Sequence, residues 1–350
     1  MPCREPQVKK RLQRHLLQNN LVSDHQFGFL PGRSTVDLIT SITQTWSNSL
    51  DARGEVRVVA LDISRAFDRV WHRGLLAKLS AIGVCGRFGS WVKGFLTGRR
   101  QAVVLNGQTS AYRNTNAGVP QGSVLGPTLF LIFINDIFSQ VESNLDLFAD
   151  DSTLHLPIPR KTDRDTVANT LNRDLSRLAD WASSWLINFN AKKTKVLTIS
   201  WAVDASTGHP PLIFQNHHLP EESLLTLASV TINKHLTWGD HIRGVARNAG
   251  QRLGVLLRCS SYLPEPALLA AYKNFVRATM EYCSPVWAGG SSTDPALLDR
   301  VQRRALWTCG IDPDNNSLCR QLAVQPLSQR REVSSLCILH EWCLGWPLGR

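Results

Sequence analysis

No apolar run in this sequence is long enough to cross a membrane; the longest, LFLIFI at Leu129 to Ile134, falls far short of the ~20 residues a spanning helix needs. The basic N-terminal stretch MPCREPQVKKRLQRH is followed by no apolar h-region, so neither a secretion signal nor a membrane anchor is expected. There is no G-x-x-x-x-G-K-[ST] loop, which argues against P-loop handling of phosphate. His340-Glu341 lacks the second histidine of a zincin motif. The eight cysteines are scattered and contain no C-x2-C pair, a pattern that speaks against a disulfide-stapled secreted domain and for a reducing compartment. Cys337, His340 and Cys343 recur every third residue, with Cys309 and Cys319 upstream, but burial as small hydrophobes is the commoner use of cysteine. Internal repeats and low-complexity linkers are absent too.

What the chain has is positive charge. Lys and Arg total 39 against 28 acidic residues, a net +11. Such a field attracts a polyanion, either nucleic acid or an acidic membrane surface. Residues Val8 to Asn20 read as a basic helix end, and SDHQFGFLPGRSTVD as a Gly/Pro-punctuated loop leading into a helix at about Ser34 to Leu50. VRVVALDI is a short apolar run that predicts a buried strand presenting Asp62 at its C-terminal end. A helix should follow from near Arg65, with Leu75, Leu76 and Leu79 on one face. QAVVLNGQTSAYRNTN predicts two strands joined at Asn106-Gly107, the pair favoured in two-residue hairpin turns. GVPQGSVLGPTLFLIFINDIF is a glycine-bounded loop opening into an apolar helix, and LDLFADDSTLHL a hairpin with Asp150 and Asp151 at its tip. Val167, Leu171, Leu175, Leu178, Ala182 and Trp185 mark a long amphipathic helix, and KVLTIS a further strand. After about His235 the pattern is helical with repeated arginines, and GGSSTDP at Gly289 to Pro295 reads as a loop there. Trp71, Trp91, Trp181 and Trp185 sit at helical spacing and are expected in the core.

Adjacent carboxylates at a hairpin tip repel by about 1 to 4 kcal/mol at ~4 Å, depending on the local dielectric. If the strand ending in Asp62 lies beside that hairpin, three carboxylates converge, and hard divalent cations are their natural counter-charge. Two magnesium ions roughly 3.5 to 4 Å apart suit nucleotidyl transfer. The plainer alternative is a solvated Asp-Asp turn on a helical interaction scaffold.

The company the acids keep carries a resemblance. LDISRAFDRVWH resembles motif A of reverse transcriptases, AGVPQGSVLGPTLF motif B, LFADD the F/Y-x-D-D box of motif C, WLINFNAKKTK motif D and LASVTINKHLTWGDHI the motif E region, in the family's order. QFGFLPGRSTVD is similar to the fingers block, and LVSDHQ, FLTGRRQAVVLNG and YKNFVRATMEYCSPVW are similar to Jockey-like members of the non-LTR (LINE-type) group. The resemblance implies an α+β right-hand polymerase: a residual fingers segment (1–55), a palm with an antiparallel sheet (56–235) and a helical thumb (236–350). It implies Asp62 and Asp150 as principal magnesium ligands, Asp151 as a weaker third and the Ile63 carbonyl as completing a site, with Mn2+ as an alternative ion. Phe67, five positions after Asp62, corresponds to the aromatic steric gate against a ribose 2′ hydroxyl, so the product should be DNA. Gln121 would line the incoming-nucleotide pocket, where Gly118 and Gly122 allow close backbone approach. Lys193 corresponds to the lysine that protonates or neutralises pyrophosphate, with Lys192 and Lys195 as rivals, and Arg33 would reach template or triphosphate. The implied partners are an RNA template, a DNA primer or target DNA and dNTPs, with no membrane; the implied location is a cytoplasmic ribonucleoprotein and the nucleus. Oligomeric state stays open. Leu30 stands where the fingers block has arginine, and Ser229 where motif E has glycine. The family's earlier R-P-I-S-type block would precede residue 1, so the expectation is an N-terminally truncated copy, the alternative function being a remnant that only binds nucleic acid.

Overall fold

The valine-rich run does become a central strand, in a computed structural model that describes residues 5–202, 208–289 and 295–344. Along the chain lie α1 (Glu5–Gln18), α2 (Thr35–Asp51), β1 (Glu55–Leu61), α3 (His72–Ala81) and α4 (Gly86–Leu96). A ribbon follows, made of β2 (Arg100–Gln101), β3 (Val104–Leu105), β4 (Gln108–Thr109) and β5 (Arg113–Asn114). Then come α5 (Gly126–Ile134), β6 (Asn144–Phe148), β7 (Asp151–Ile158), α6 (Arg164–Trp185), β8 (Lys195–Ile199), β9 (Ile213–Phe214), β10 (His217–His218), β11 (Leu224–Leu227) and β12 (Val230–Asn233). From α7 (Gly239–Arg258) onward the described residues are helical, ending in α11 (Pro295–Thr308), α12 (Asn316–Gln321) and α13 (Leu327–Cys343), numbered after three short helices between 265 and 287.

β6, β7, β1 and β8 form one antiparallel four-stranded sheet in that order. Period-two alternation splits the valines of β1 between its faces. Val59 and Leu61 join the core built on α3, α5 and α6. Val56 and Val58 join a second core with Ile39, Ile42 and Trp46 of α2 and with Tyr272, Trp287 and Leu298 of the helical region. Strands give way to helices between Asn233 and Gly239, yet the core does not break there. Trp181 is buried, and Trp71, Trp91 and Trp185 pack half-buried against the first core.

Local signals explain most element ends. Ser34 caps α2 in a reciprocal capping box with Asp37, and Asp163 caps α6. Asn106 and Gly107 both have positive φ (49° and 77°), as a two-residue hairpin turn of the mirror-image type requires. α5 is buried nearly all round, in keeping with its apolar composition. The helix expected from Arg65 starts later. Arg65 is left-handed (φ 51°), a 3-10 turn spans Ala66–Arg69, and α3 opens at His72. The reason is competition for carbonyls: Phe67 and Val70 C=O accept from Val119 and Gly118 N–H at 2.9 and 2.8 Å, so an intervening loop takes the bonds a helix would use. Of the expected loop at 289–295, residues 290–294 lie outside the described residues, as does Cys3. Among the described residues no helix is long and apolar enough to cross a membrane.

The β11–β12 turn carries strain. Leu227 pairs with Val230, leaving Ala228 (φ 44°) and Ser229 (φ 69°) to make a turn that favours glycine. Ser229→Gly is therefore expected to raise stability by about 0.5 to 1 kcal/mol. An upward shift of the thermal or urea unfolding midpoint would bear this out, and a downward shift would show that the serine side chain compensates for its backbone.

Candidate active site

Register brings the acids of separate motifs together. Leu61 pairs with Ser152, so the next residues, Asp62 and Asp151, stand opposite one another on the sheet face that also carries Ala60 and Thr153. Phe148 pairs with Asp151, which leaves Ala149 and Asp150 as the two-residue turn. Asp150 is thus at the hairpin tip, and Asp151 is already the first residue of β7. Past β1 the chain pairs with the segment before β8: Ser64 N–H donates to Asn188 C=O and Asn190 N–H to Asp62 C=O, both at 2.8 Å. Those bonds flank an Ile63–Phe189 bridge. Ile63 is then a non-hydrogen-bonded pair member whose own carbonyl points away from Phe189, toward the β7 side.

A polar cleft of about 300 Å3 opens beside this edge, lined among others by Leu38, Asp62, Asp151, Thr153, Lys193 and Lys195. Burial pushes the carboxyl pKa of Asp150 up, as does the charge of Asp62, against the opposing effect of its own backbone N–H. Burial raises Asp151 as well, and repulsion from Asp150 and Asp62 adds to it. Among the described residues no Lys, Arg or His forms an ion pair with any of the three acids. The acids share one edge without forming the tight convergence expected of them: among the described residues no three His, Cys, Asp or Glu are grouped to hold a metal ion.

Phe67 is half-buried, stacked on Phe130 (centroids 4.5 Å apart) and edge-on to Phe29 at 6.0 Å. Gln121 is exposed, and its Nε2 donates to Asp68 Oδ1 at 2.8 Å, which ties the 118–122 loop to the turn after Asp62. Gly118 (φ 88°) lies so close that a Cβ would come within 2.8 Å of the Asp68 carbonyl. Gly122 (φ 76°) faces open space. A larger polar cleft, about 760 Å3, is lined by Arg65, Arg69, Arg99, Arg100, Asn116 and Gln121 among others.

Of the three lysines, Lys193 and Lys195 line the cleft with the acids. Lys195 is paired with Glu222 at 3.1 Å. Lys192 is exposed and is not among the cleft's residues. Arg33 is employed elsewhere. Its Nη1 donates to the carbonyls of Ser23, Asp24 and Gln26 at 3.1, 2.8 and 2.7 Å, and its Nη2 to Asp24 Oδ1 at 2.7 Å. With its side chain 13% exposed, it braces its own loop and does not line the acid cleft.

The arginines of the helical region divide similarly. Arg252, Arg277 and Arg303 bond Phe275 C=O, Ala323 C=O and Asp314. Arg247, Arg258, Arg300 and Arg304 are exposed and free to meet a polyanion. Cys309 and Cys319 are buried, whereas Cys337 and Cys343 are exposed.

Three hydrogen bonds between separate segments carry no local sequence signal. Asp146 accepts from His25 and His155, each at 2.8 Å. Burial would raise its carboxyl pKa, but those hydrogen bonds outweigh it and the pKa is lowered. Tyr282 OH donates to the Ala228 carbonyl at 2.9 Å, joining the helical region to the strained turn. Each bond spans more than fifty residues or links two strands, beyond what spacing along one element reveals.

Residues 4–235 match the family described as reverse transcriptase (RNA-dependent DNA polymerase). The chain belongs to that family. Its relatives include a probable RNA-directed DNA polymerase from transposon BS of Drosophila melanogaster, 29% identical over 85% of this chain and 34% of the relative. Another is the RNA-directed DNA polymerase from the mobile element jockey of Drosophila funebris, 29% identical over 86% of this chain and 34% of the relative. The chain therefore spans about a third of the length of these relatives. The solved structure of apo telomerase from Candida tropicalis shares the fold, with a TM-score of 0.50 at 13% identity over 87% of this chain and 50% of that one. The architecture is that of a right-hand polymerase.

Proposed function

We propose that this chain is an RNA-directed DNA polymerase core that extends a DNA primer on an RNA template. One observation carries the reading: Asp62 and Asp151 stand opposite one another beside Asp150 at a single sheet edge, with no ion-pair partner among the described residues. Oxygen donors, unpaired negative charge and a polar cleft fit hard divalent ions such as Mg2+, with Mn2+ as a substitute. Asp62, Asp150, the Ile63 carbonyl and, more weakly, Asp151 would hold them. Bound there, such ions supply activation of the primer 3′ hydroxyl and charge neutralisation of the triphosphate.

The remaining roles belong to the chain itself. Phe67, backed by Phe130, excludes a 2′ hydroxyl from the incoming sugar. Gln121 and Gly122 shape the base and sugar pocket, and the arginine-lined cleft beyond them attracts template phosphates. Lys193 delivers positive charge or a proton to departing pyrophosphate. The exposed arginines 247, 258, 300 and 304 follow the duplex backbone without reading sequence. On this division residues 1–55 serve as fingers, 56–235 as palm and 236–350 as thumb, acting on the element's RNA in the cytoplasm and on nuclear DNA.

Primer extension on poly(rA)/oligo(dT) with dTTP tests the reading. Extension that needs Mg2+ and stops on chelation is the expected result. Binding of template-primer without any extension would reduce the chain to a nucleic-acid-binding fragment and defeat the proposal.

A further inference from the structure

We propose that Gln26 is a positioning residue for the acid-bearing turn, an inference that rests on the polymerase reading. Its side chain is buried, 1% exposed, and Oε1 accepts two backbone N–H groups, from Gly28 at 2.9 Å and from Ala149 at 3.1 Å. Both neighbours are donors, which settles the amide orientation. The Nε2 end is buried without a partner among the described residues. An unused buried donor costs stability, so packing alone would favour an apolar residue of similar volume here. The retained acceptor points to a different task.

Ala149 is what needs holding. Its φ of 60° lies in the left-handed region, at a cost of about 1 to 2 kcal/mol for an L-residue, and it immediately precedes Asp150. The segment that supplies Gln26 is docked on β6 by Phe27 N–H to Leu147 C=O at 2.8 Å and Leu147 N–H to His25 C=O at 2.9 Å. Arg33 holds the Gln26 carbonyl from behind at 2.7 Å. Gly28 permits the approach, since a Cβ there would fall 2.3 Å from Ala149 N. Without the Gln26 acceptor, residue 149 relaxes toward negative φ and carries Asp150 out of line with Asp62. The loss then falls on the chemical step and on metal affinity, leaving template-primer binding unaffected.

The test compares wild type, Gln26→Met, which keeps the volume, and Gln26→Glu, which keeps the acceptor. Amide exchange at Ala149 reads the clamp directly, and primer extension at varied dTTP and Mg2+ reads its consequence. Gln26→Met is expected to speed exchange at Ala149 and lower kcat about tenfold, with KM for dTTP nearly unchanged and more Mg2+ needed for half-maximal rate. Gln26→Glu is expected to stay within about threefold of wild type in both readouts. Wild-type exchange and kcat in Gln26→Met would overturn the inference, as would equal impairment of Gln26→Glu. Should Gln26→Met not fold, loss of Ala149 protection in folded Gln26→Glu overturns it and retention supports it. If the wild type extends no primer, the polymerase reading fails, and the exchange experiment still decides the clamp.

Discussion

Asp62→Asn and Asp150→Asn should each reduce primer extension by at least roughly 10^3-fold, the rate equivalent of the several kcal/mol a liganded metal supplies to charge stabilisation. Asp151→Asn, at the weaker third position, should cost about tenfold. The stability side of the experiment makes the interpretation sharp. These carboxylates repel one another, burial raises the pKa of Asp150 and Asp151, and none has an ion-pair partner among the described residues. Removing one charge therefore relieves strain in the folded protein, and the unfolding midpoint should hold or rise. Template-primer affinity, proposed above to rest on arginines elsewhere, should hold too. Lost activity in a protein of equal or greater stability identifies a site kept for chemistry. Lost activity with a falling midpoint would instead mean that the acids are structural, and the polymerase assignment of these residues would fail.

Phe67→Val is expected to lower the preference for dTTP over UTP by about 10- to 100-fold, the range available to a pocket that gains or loses a small apolar group. Its ring is held by stacking on Phe130 and by an edge contact with Phe29, so it cannot swing aside to admit a 2′ hydroxyl. Its backbone is pinned as well, because the Phe67 carbonyl accepts from Val119 N–H at 2.9 Å. Valine leaves that bond intact and opens only the space the ring filled. Single-nucleotide incorporation with each substrate measures the ratio directly. The cost in stability should be about 1 to 3 kcal/mol, because the ring is only half-buried. An unchanged dTTP/UTP ratio in a folded variant would place the sugar discrimination on another residue.

Much of this architecture is readable along the chain. VRVVAL encodes a strand because successive side chains must satisfy two apolar faces, and Asp62 follows at its end by simple continuation. Asn106-Gly107 encodes a turn because both residues tolerate positive φ. The Ser34/Asp37 pair encodes a helix start because it satisfies otherwise orphaned N–H groups. Motifs in family order then link these local signals to a palm. The late start of α3 was not readable, because the carbonyls of Phe67 and Val70 are claimed by a loop some fifty residues away.

The sequence by itself determined the central strand, the 106–107 turn, the start of α2 and the acids that follow or join those strands, since these follow from periodicity and backbone chemistry within a few residues. Only the tertiary structure decided the register that sets Asp62 opposite Asp151, the use of Arg33 as a loop brace, and the bond from Gln26 to Ala149. Those depend on which groups meet when distant segments close on one another. A side chain's donors and acceptors are spent on whichever partners that closure brings within about 3 Å, and no spacing along a single element records them.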